Sequence, residues 1–279
     1  MKSTPAWNPA SLLQSALFEP LSPVLERLAS ASFPDMHHFN GLLAAYRPAI
    51  TVKQGHVLSF VPQEPGKMGF ESRYEPRCYL NGEVQTRADN WHDLFNALVW
   101  LTFPASKAAI NSRHFQALQE SGSEDGSQRG SVRDMATLLD ESGVIVVSSN
   151  ALLLDMLRAF QWKELFWHER NKVREAMGFY ILGHGLYEKS LVPYIGMTGQ
   201  GLLLQVPEEF FWWTLQARLT YLDEQVAGYV NNPDLCTSTS ELSPVPILGI
   251  PGWTAANNDA TYYDNTAYFR PPRNTPRLL

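Results

Sequence analysis

Apolar side chains recur along this chain mostly at helical spacing, with a few short runs at strand spacing. Leu21, Val24, Leu25 and Leu28 fall on one face of a helix over 21–30. Asn8-Pro9 places an N-cap residue before a proline at the first helical position, which predicts a helix to about Phe18. Asp35 caps a third helix over 36–46, stopped by Pro48. Asn90 precedes Trp91, Leu94, Phe95 and Leu98, a stripe that predicts a helix over 91–103. Those four side chains should be buried, with His92 and Asn96 facing a cleft. Residues 106–119 and 132–141 read as helices, and 151–191 as helical with breaks near Gln161 and Gly178. Pro207-Glu208-Glu209 opens a long helix whose one face carries Phe211, Leu215, Leu219, Leu222, Val226 and Tyr229.

Residues 57–61 and 144–147 read as short buried strands, and 202–206 as another strand. Asn81-Gly82, between 77–80 and 83–85, predicts a hairpin. The polar, glycine-rich stretch 120–130 has nothing large to anchor it and reads as a mobile loop, the first site of proteolysis. Residues 233–279 hold many prolines and aromatics with little periodicity, and are expected to wrap on the body as an extended C-terminal strap. Together these elements predict an α+β fold: one predominantly helical domain over 1–279 with a few short strands.

Composition narrows the function classes. The chain is 44% hydrophobic and 18% charged, below the roughly 25% charged residues of an average globular chain. A sizeable core is therefore affordable and global disorder is excluded. The net charge of 22 − 28 = −6 leaves no basic excess for general nucleic-acid binding. Two cysteines, Cys78 and Cys236, form no disulfide framework. Lys2 is followed by Pro5, Asn8 and Pro9, unlike a signal peptide, and the apolar run 94–103 is too short to span a bilayer. A cytoplasmic protein without membrane attachment is expected.

No P-loop, G-x-G-x-x-G, G-x-S-x-G or C-x-x-C string is present. His168-Glu169 begins like a zinc-protease helix, but Lys172 stands where the second histidine belongs. Ser148-Ser149-Asn150 reads as a plain N-cap. Two polar clusters carry more chemistry. In the first, His92 and Asn96 share a helical face, as do Asn111 and His114, with Lys107 shortly before them. A helical hairpin about Pro104 would bring them together, and His92 with His114 would suit a divalent metal. In the second, His184 and Glu188 lie one turn apart, so the carboxylate should orient the imidazole; Gly183 and Gly185 leave room for a ligand or a neighbouring helix. Glu164 and His168 repeat that spacing on a more charged segment. His92-Asp93 also forms a histidine–aspartate doublet of phosphohydrolase type, with His38 or His56 upstream and Asp140 or Asp155 downstream, although that fold is wholly helical. Asn81-Gly82 with Asn96, Trp100, Asn111 and His114 is loosely similar to a ββα-metal nuclease module that has lost its general base. The tail strings around Trp253, Tyr262-Tyr263 and Phe269-Arg270 suit a lid, a docking strip or a structural strap.

The combination of Asp89 to Asp93, Phe95 to Trp100, Leu139 to Val144, Trp162 to Phe166, Gly183-His184 with Glu188-Lys189, and Pro246 to Trp253 with Phe269 to Pro271 resembles a family of uncharacterised, mainly proteobacterial proteins, classified as a domain of unknown function. The resemblance implies one domain and a bacterial cytosolic setting, and transfers no activity. The residues themselves favour a hydrolase-like enzyme. His92, Asp93, His184 and Glu188 would be its acid, base or orienting groups, and a divalent metal would sit on His92 and His114. Asn96, Lys107, Asn111 and Arg270 would contact the ligand. The alternatives are a non-catalytic binding protein and the degenerate nuclease-like module.

Overall fold

Asn8 caps the first helix by accepting from the Ser11 amide, with Pro9 at the first helical position. The computed structural model describes residues 5–28, 30–63, 69–120 and 126–271. In it α1 (Pro9–Leu13) is a short helix followed by a 3-10 segment, Ala16–Leu21, rather than one helix to Phe18. Pro20 inside that segment has no amide to donate and crowds the preceding turn. α2 (Ser22–Leu25) is also brief, and α3 (Met36–Leu43) carries a full capping box between Asp35 and His38.

The expected hairpin is not formed. Residues 77–81 belong to α4 (Tyr74–Asn81), and Gly82 ends that helix in the left-handed region at φ +73°. β1 (Ser59–Pro62) and β2 (Glu83–Thr86) pair in parallel, with α4 in the crossover between them. Asn-Gly is favoured both in a tight hairpin turn and just past a helix end, because both positions need positive φ. The dipeptide therefore cannot separate the two. A ββα-type module loses the hairpin on which it rested.

Asn90 accepts from the Asp93 amide and starts α5 (Trp91–Thr102), whose Trp91, Leu94, Phe95 and Leu98 are buried. α6 (Pro104–Glu120) follows directly. α7 (Gly126–Ser142) packs on α6 and begins earlier than its apolar periodicity indicates, so 126–130 are helical rather than loop. Residues 121–125 of that expected loop lie outside the described residues. β3 (Gly143–Ser148) is buried along its whole length, as its unbroken apolar run requires. Asn150 caps α8 (Ala151–Arg158). After α9 (Arg170–Ala176) the chain forms a strand, β4 (Met177–Ile181), where helix was expected. Phe179, Tyr180 and Ile181 favour a strand, and pairing with β3, Val146 opposite Phe179, gives them a partner. α10 (His184–Ser190), β5 (Thr198–Gln205), α11 (Leu215–Asn231) and β6 (Ser243–Pro246) complete the order. The helix expected from Pro207 is a 3-10 turn, Glu208–Trp212; α11 starts anew behind Thr214, which accepts from the Ala217 amide.

Among the described residues the fold is thus mainly helical with two small sheets. The larger has the order β4-β3-β5-β6, with β3 parallel to β5 and the other pairs antiparallel. One hydrophobic cluster runs from Leu12 through β3 to Phe269. The tail contributes β6 as an edge strand and then 3-10 turns packed on the body. Asn257, fully buried, donates to the carbonyls of Leu248 and Ile250. Among the described residues no helix is long and apolar enough to cross a membrane. What matters for the site is that α10 packs against both α5 and α7.

Candidate metal centre

Three elements far apart in sequence meet at one point. The first turn of α5 supplies His92, the last turn of α7 supplies Glu141, and the first turn of α10 supplies His184. The two imidazole Nε2 atoms face each other at 3.0 Å. Glu141 Oε1 stands 3.7 Å from His184 Nε2 and 3.9 Å from His92 Nε2. A tetrahedral ion with bonds of 2.0–2.1 Å sets its ligands about 3.3 Å apart, and these three atoms bracket that spacing. His184 is buried, while His92 and Glu141 keep solvent-facing surface. The group has an interior side and an open side.

Both rings have a carboxylate behind the nitrogen that faces away from the cluster. Glu188 Oε2 lies 3.0 Å from His92 Nδ1, and Asp140 Oδ2 lies 3.7 Å from His184 Nδ1. This corrects the expected His184–Glu188 pair. Glu188 sits one turn from His184 on α10, but it reaches across to α5 and orients His92 instead. A carboxylate hydrogen-bonded behind a ligating imidazole, as Glu188 is behind His92, fixes its tautomer and ring plane and raises its basicity, whereas the Asp140 carboxylate stands too far for a hydrogen bond and acts on His184 through its charge.

Glu141 was not among the candidate residues. It fills the space that glycine leaves: a Cβ at Gly185 would stand 2.2 Å from Glu141 Oε2. The opening expected around these glycines is thus taken by the neighbouring helix end: the Glu141 carboxylate at Gly185, and the backbone of 141–143 at Gly183, where a Cβ would stand 2.5 Å from the Ser142 and Gly143 nitrogens. A signal for it did exist. Asp140-Glu141 puts two acids in the last turn of α7, where the negative end of the helix dipole disfavours them.

The electrostatics are split by depth. Burial pushes the His184 imidazole down to about 3, against the opposing charge of Asp140, so the ring is neutral with its lone pair available. Burial also works to raise Asp140, but the charge of Lys107 and then of His184 overrides it and holds the carboxyl at about 2. Lys107, itself 3% exposed, ion-pairs with Asp140 and lies over the Trp100 ring. Burial raises Glu141, the half-exposed member.

Behind His184 the polar character continues inward. Asn96 Nδ2 donates to the Tyr74 hydroxyl at 2.7 Å, and Asn111 Nδ2 to Glu75 Oε2 at 2.6 Å. Asn96 Oδ1, Trp100 Nε1, Asn111 Oδ1 and His184 Nδ1 are buried and find no hydrogen-bond partner among the described residues. Asn96, Lys107 and Asn111, expected as ligand contacts, line this inner layer rather than an open cleft. His114 is buried with them; its electrostatic partners are Glu75 and Asp140, and the imidazole that could share a metal with His92 is His184 instead.

Other expected site residues are engaged elsewhere. Asp93, one position from His92, points to the other side of α5 and accepts from the Arg87 guanidinium at 2.8 and 2.9 Å and from its amide at 2.7 Å. The doublet therefore diverges: neighbours on a helix project about 100° apart. His38 is bound to its capping partner Asp35, His56 is exposed, and Asp155 pairs with Arg158. Glu164 and His168 fall in a single π-helical turn. Arg270 is exposed; its Nε donates to the Ala267 carbonyl and its own carbonyl accepts from Trp162 Nε1. It is a fastening point of the tail.

His92, Glu141 and His184 can therefore coordinate a divalent metal, with Glu188 and Asp140 as supports. No curated protein and no solved structure matches the chain. Residues 58–273, which include all five of these side chains, match the model described as a protein of unknown function (DUF3025), and the chain belongs to that family.

Proposed function

We propose that this protein is a hydrolase-like enzyme working through a divalent metal held by His92, His184 and Glu141. The observation that carries the reading is the approach of two imidazole nitrogens and one carboxylate oxygen to metal-ligand spacing on a half-open surface. Two imidazoles and a carboxylate suit zinc and similar borderline ions, and three protein ligands leave a coordination position free, the arrangement of catalytic rather than structural sites. A bound ion of this kind supplies Lewis acidity, lowering the pKa of a coordinated water to about 7 and polarising a carbonyl or phosphoryl oxygen. The chain's own residues do the rest. Glu188 holds the His92 ring, the Asp140–Lys107 pair backs His184, and burial keeps His184 unprotonated.

The test is metal stoichiometry followed by activity. Protein stripped with a chelator and reloaded should bind one zinc per chain, and His92→Ala or His184→Ala should weaken that binding at least about 100-fold. The reloaded protein should hydrolyse members of a panel of carboxylic and phosphoric esters, and the stripped protein should not. Absence of zinc, manganese or cobalt binding overturns the site. Tight binding without hydrolysis of any panel member overturns the enzyme reading and leaves a non-catalytic binding protein. One observation favours that second reading: a cleft of about 550 Å³ lies at the far end of α5, away from the metal ligands.

A further inference from the structure

That cleft forms where the end of α5, the start of α6 and the first half of α11 meet the segment 46–51. Val24, Ile50, Leu101 and Leu219 give it an apolar floor. Its volume lies in the range of small-molecule sites, about 300–1,000 Å³. Nine residues of helix separate Leu101 from His92, about 14 Å along the axis, so the cleft is distinct from the metal ligands.

Two cations stand on its rim. The Arg27 guanidinium lies over the Tyr46 ring, 5.4 Å from its centroid, and Arg47 is the next residue in the chain. Arg47 spends Nη1 on the carbonyls of Ala44 and Tyr46, both at 2.7 Å, and this fixes its direction. Neither arginine is in an ion pair with a carboxylate among the described residues. Tyr46 is itself anchored, its hydroxyl donating to the Leu101 carbonyl on the cleft wall. The acid in the lining, Asp223, is held on the cleft wall with each carboxylate oxygen capped by an amide at the start of α6, Ser106 at 2.7 Å and Ala105 at 3.0 Å, and it pairs with neither arginine. An apolar floor lined also by two guanidiniums that have no carboxylate partner among the described residues matches a ligand with an apolar body and an anionic end.

We propose that this cleft is a binding site for a small organic anion, its apolar or aromatic body on the floor and its carboxylate or phosphate between Arg27 and Arg47. Guanidinium pairs its planar N–H fork with both headgroups. The site stands independently of the metal reading.

Isothermal titration of the full chain tests it, with EDTA present so that metal cannot contribute. The probes are 2-naphthoate, 2-naphthyl phosphate and the uncharged 2-naphthamide. At least one anion should bind at submillimolar concentration, and the amide at least about tenfold more weakly. The tighter anion identifies the headgroup. Arg27→Gln with Arg47→Gln should cost the anions about tenfold or more and leave the amide unchanged. Leu219→Trp, which fills the floor, should abolish binding of all three. Circular dichroism and the unfolding midpoint check that each variant is folded. Equal binding of amide and anions, no binding of any probe, or anion binding indifferent to both arginines overturns the proposal.

Discussion

Gly185→Ala tests the metal geometry through a residue that is not itself a ligand. The added Cβ would stand 2.2 Å from Glu141 Oε2 and 3.0 Å from the Glu141 carbonyl. The first distance is far inside contact, but the atom is the free end of a flexible side chain with 42% of its surface exposed. The carboxylate should therefore swing outward, away from the two imidazoles, while the helix stays in place. The carbonyl contact needs an adjustment of only tenths of an ångström. Alanine is also about 1 kcal/mol better than glycine inside a helix, which offsets that adjustment, so metal-free stability should change by less than about 1 kcal/mol. Metal affinity should fall much further. Disturbing a mere supporting group costs about 10–100-fold, and here a ligand itself is displaced, so a loss of at least about 100-fold, or 2.7 kcal/mol, is expected. Competition against a chromophoric zinc chelator measures this for wild type, Gly185→Ala and Glu141→Gln side by side. If Gly185→Ala holds zinc within a few-fold of wild type while Glu141→Gln does not, the steric argument fails. If both bind like wild type, Glu141 is no ligand.

Further outcomes follow from the buried groups. His184 titrates near 3 in the folded protein because burial disfavours its charge, and near 6.5 when unfolded. Between those values the native state binds fewer protons, so stability is full above about pH 6.5 and falls on acidification by up to about 1.4 kcal/mol per pH unit. Urea unfolding of metal-free protein at pH 7, 6 and 5 should show this slope. His184→Asn should remove it, and the comparison separates it from Glu141, whose raised pKa acts in the opposite direction. Lys107→Met leaves the Asp140 carboxylate buried without its cation and should cost about 3–5 kcal/mol by denaturant titration, most of it recovered in Lys107→Met with Asp140→Leu. Asn257→Ala strips the hydrogen bonds from two buried carbonyls in the tail and should destabilise by about 2–4 kcal/mol; an unchanged melting temperature would show that the tail is not fastened there.

Local chemistry made a good part of the fold legible. Asn8, Asp35, Asn90 and Asn150 each cap the helix they were expected to cap, because an N-cap bond joins residues two or three positions apart. The run 144–147 is a buried strand, since an unbroken apolar stretch of that length has no solvent face to offer. His92, His184 and Glu188 stood out as imidazoles and a carboxylate beside helix starts and glycines, and all three lie at the cluster.

Where the reading failed, one local pattern served two tertiary outcomes. Asn81-Gly82 fits a hairpin and a helix end alike, and only the parallel pairing of Ser59–Pro62 with Glu83–Thr86 decides between them. Phe179-Tyr180-Ile181 suit a strand, but so short a run inside a helical stretch is decided by the partner that β3 offers it. Glu188 can reach His184 by spacing, yet it orients His92, 96 positions away. Glu141 looks like the end of a helix until α10 packs against that end with a glycine in contact. The sequence by itself determined which side chains can bind metal and which turns they begin or end. Which of them share a point was decided by packing α5, α7 and α10 together, because contacts between residues about 40 to 100 positions apart depend on burying whole helix faces, and no local periodicity encodes that.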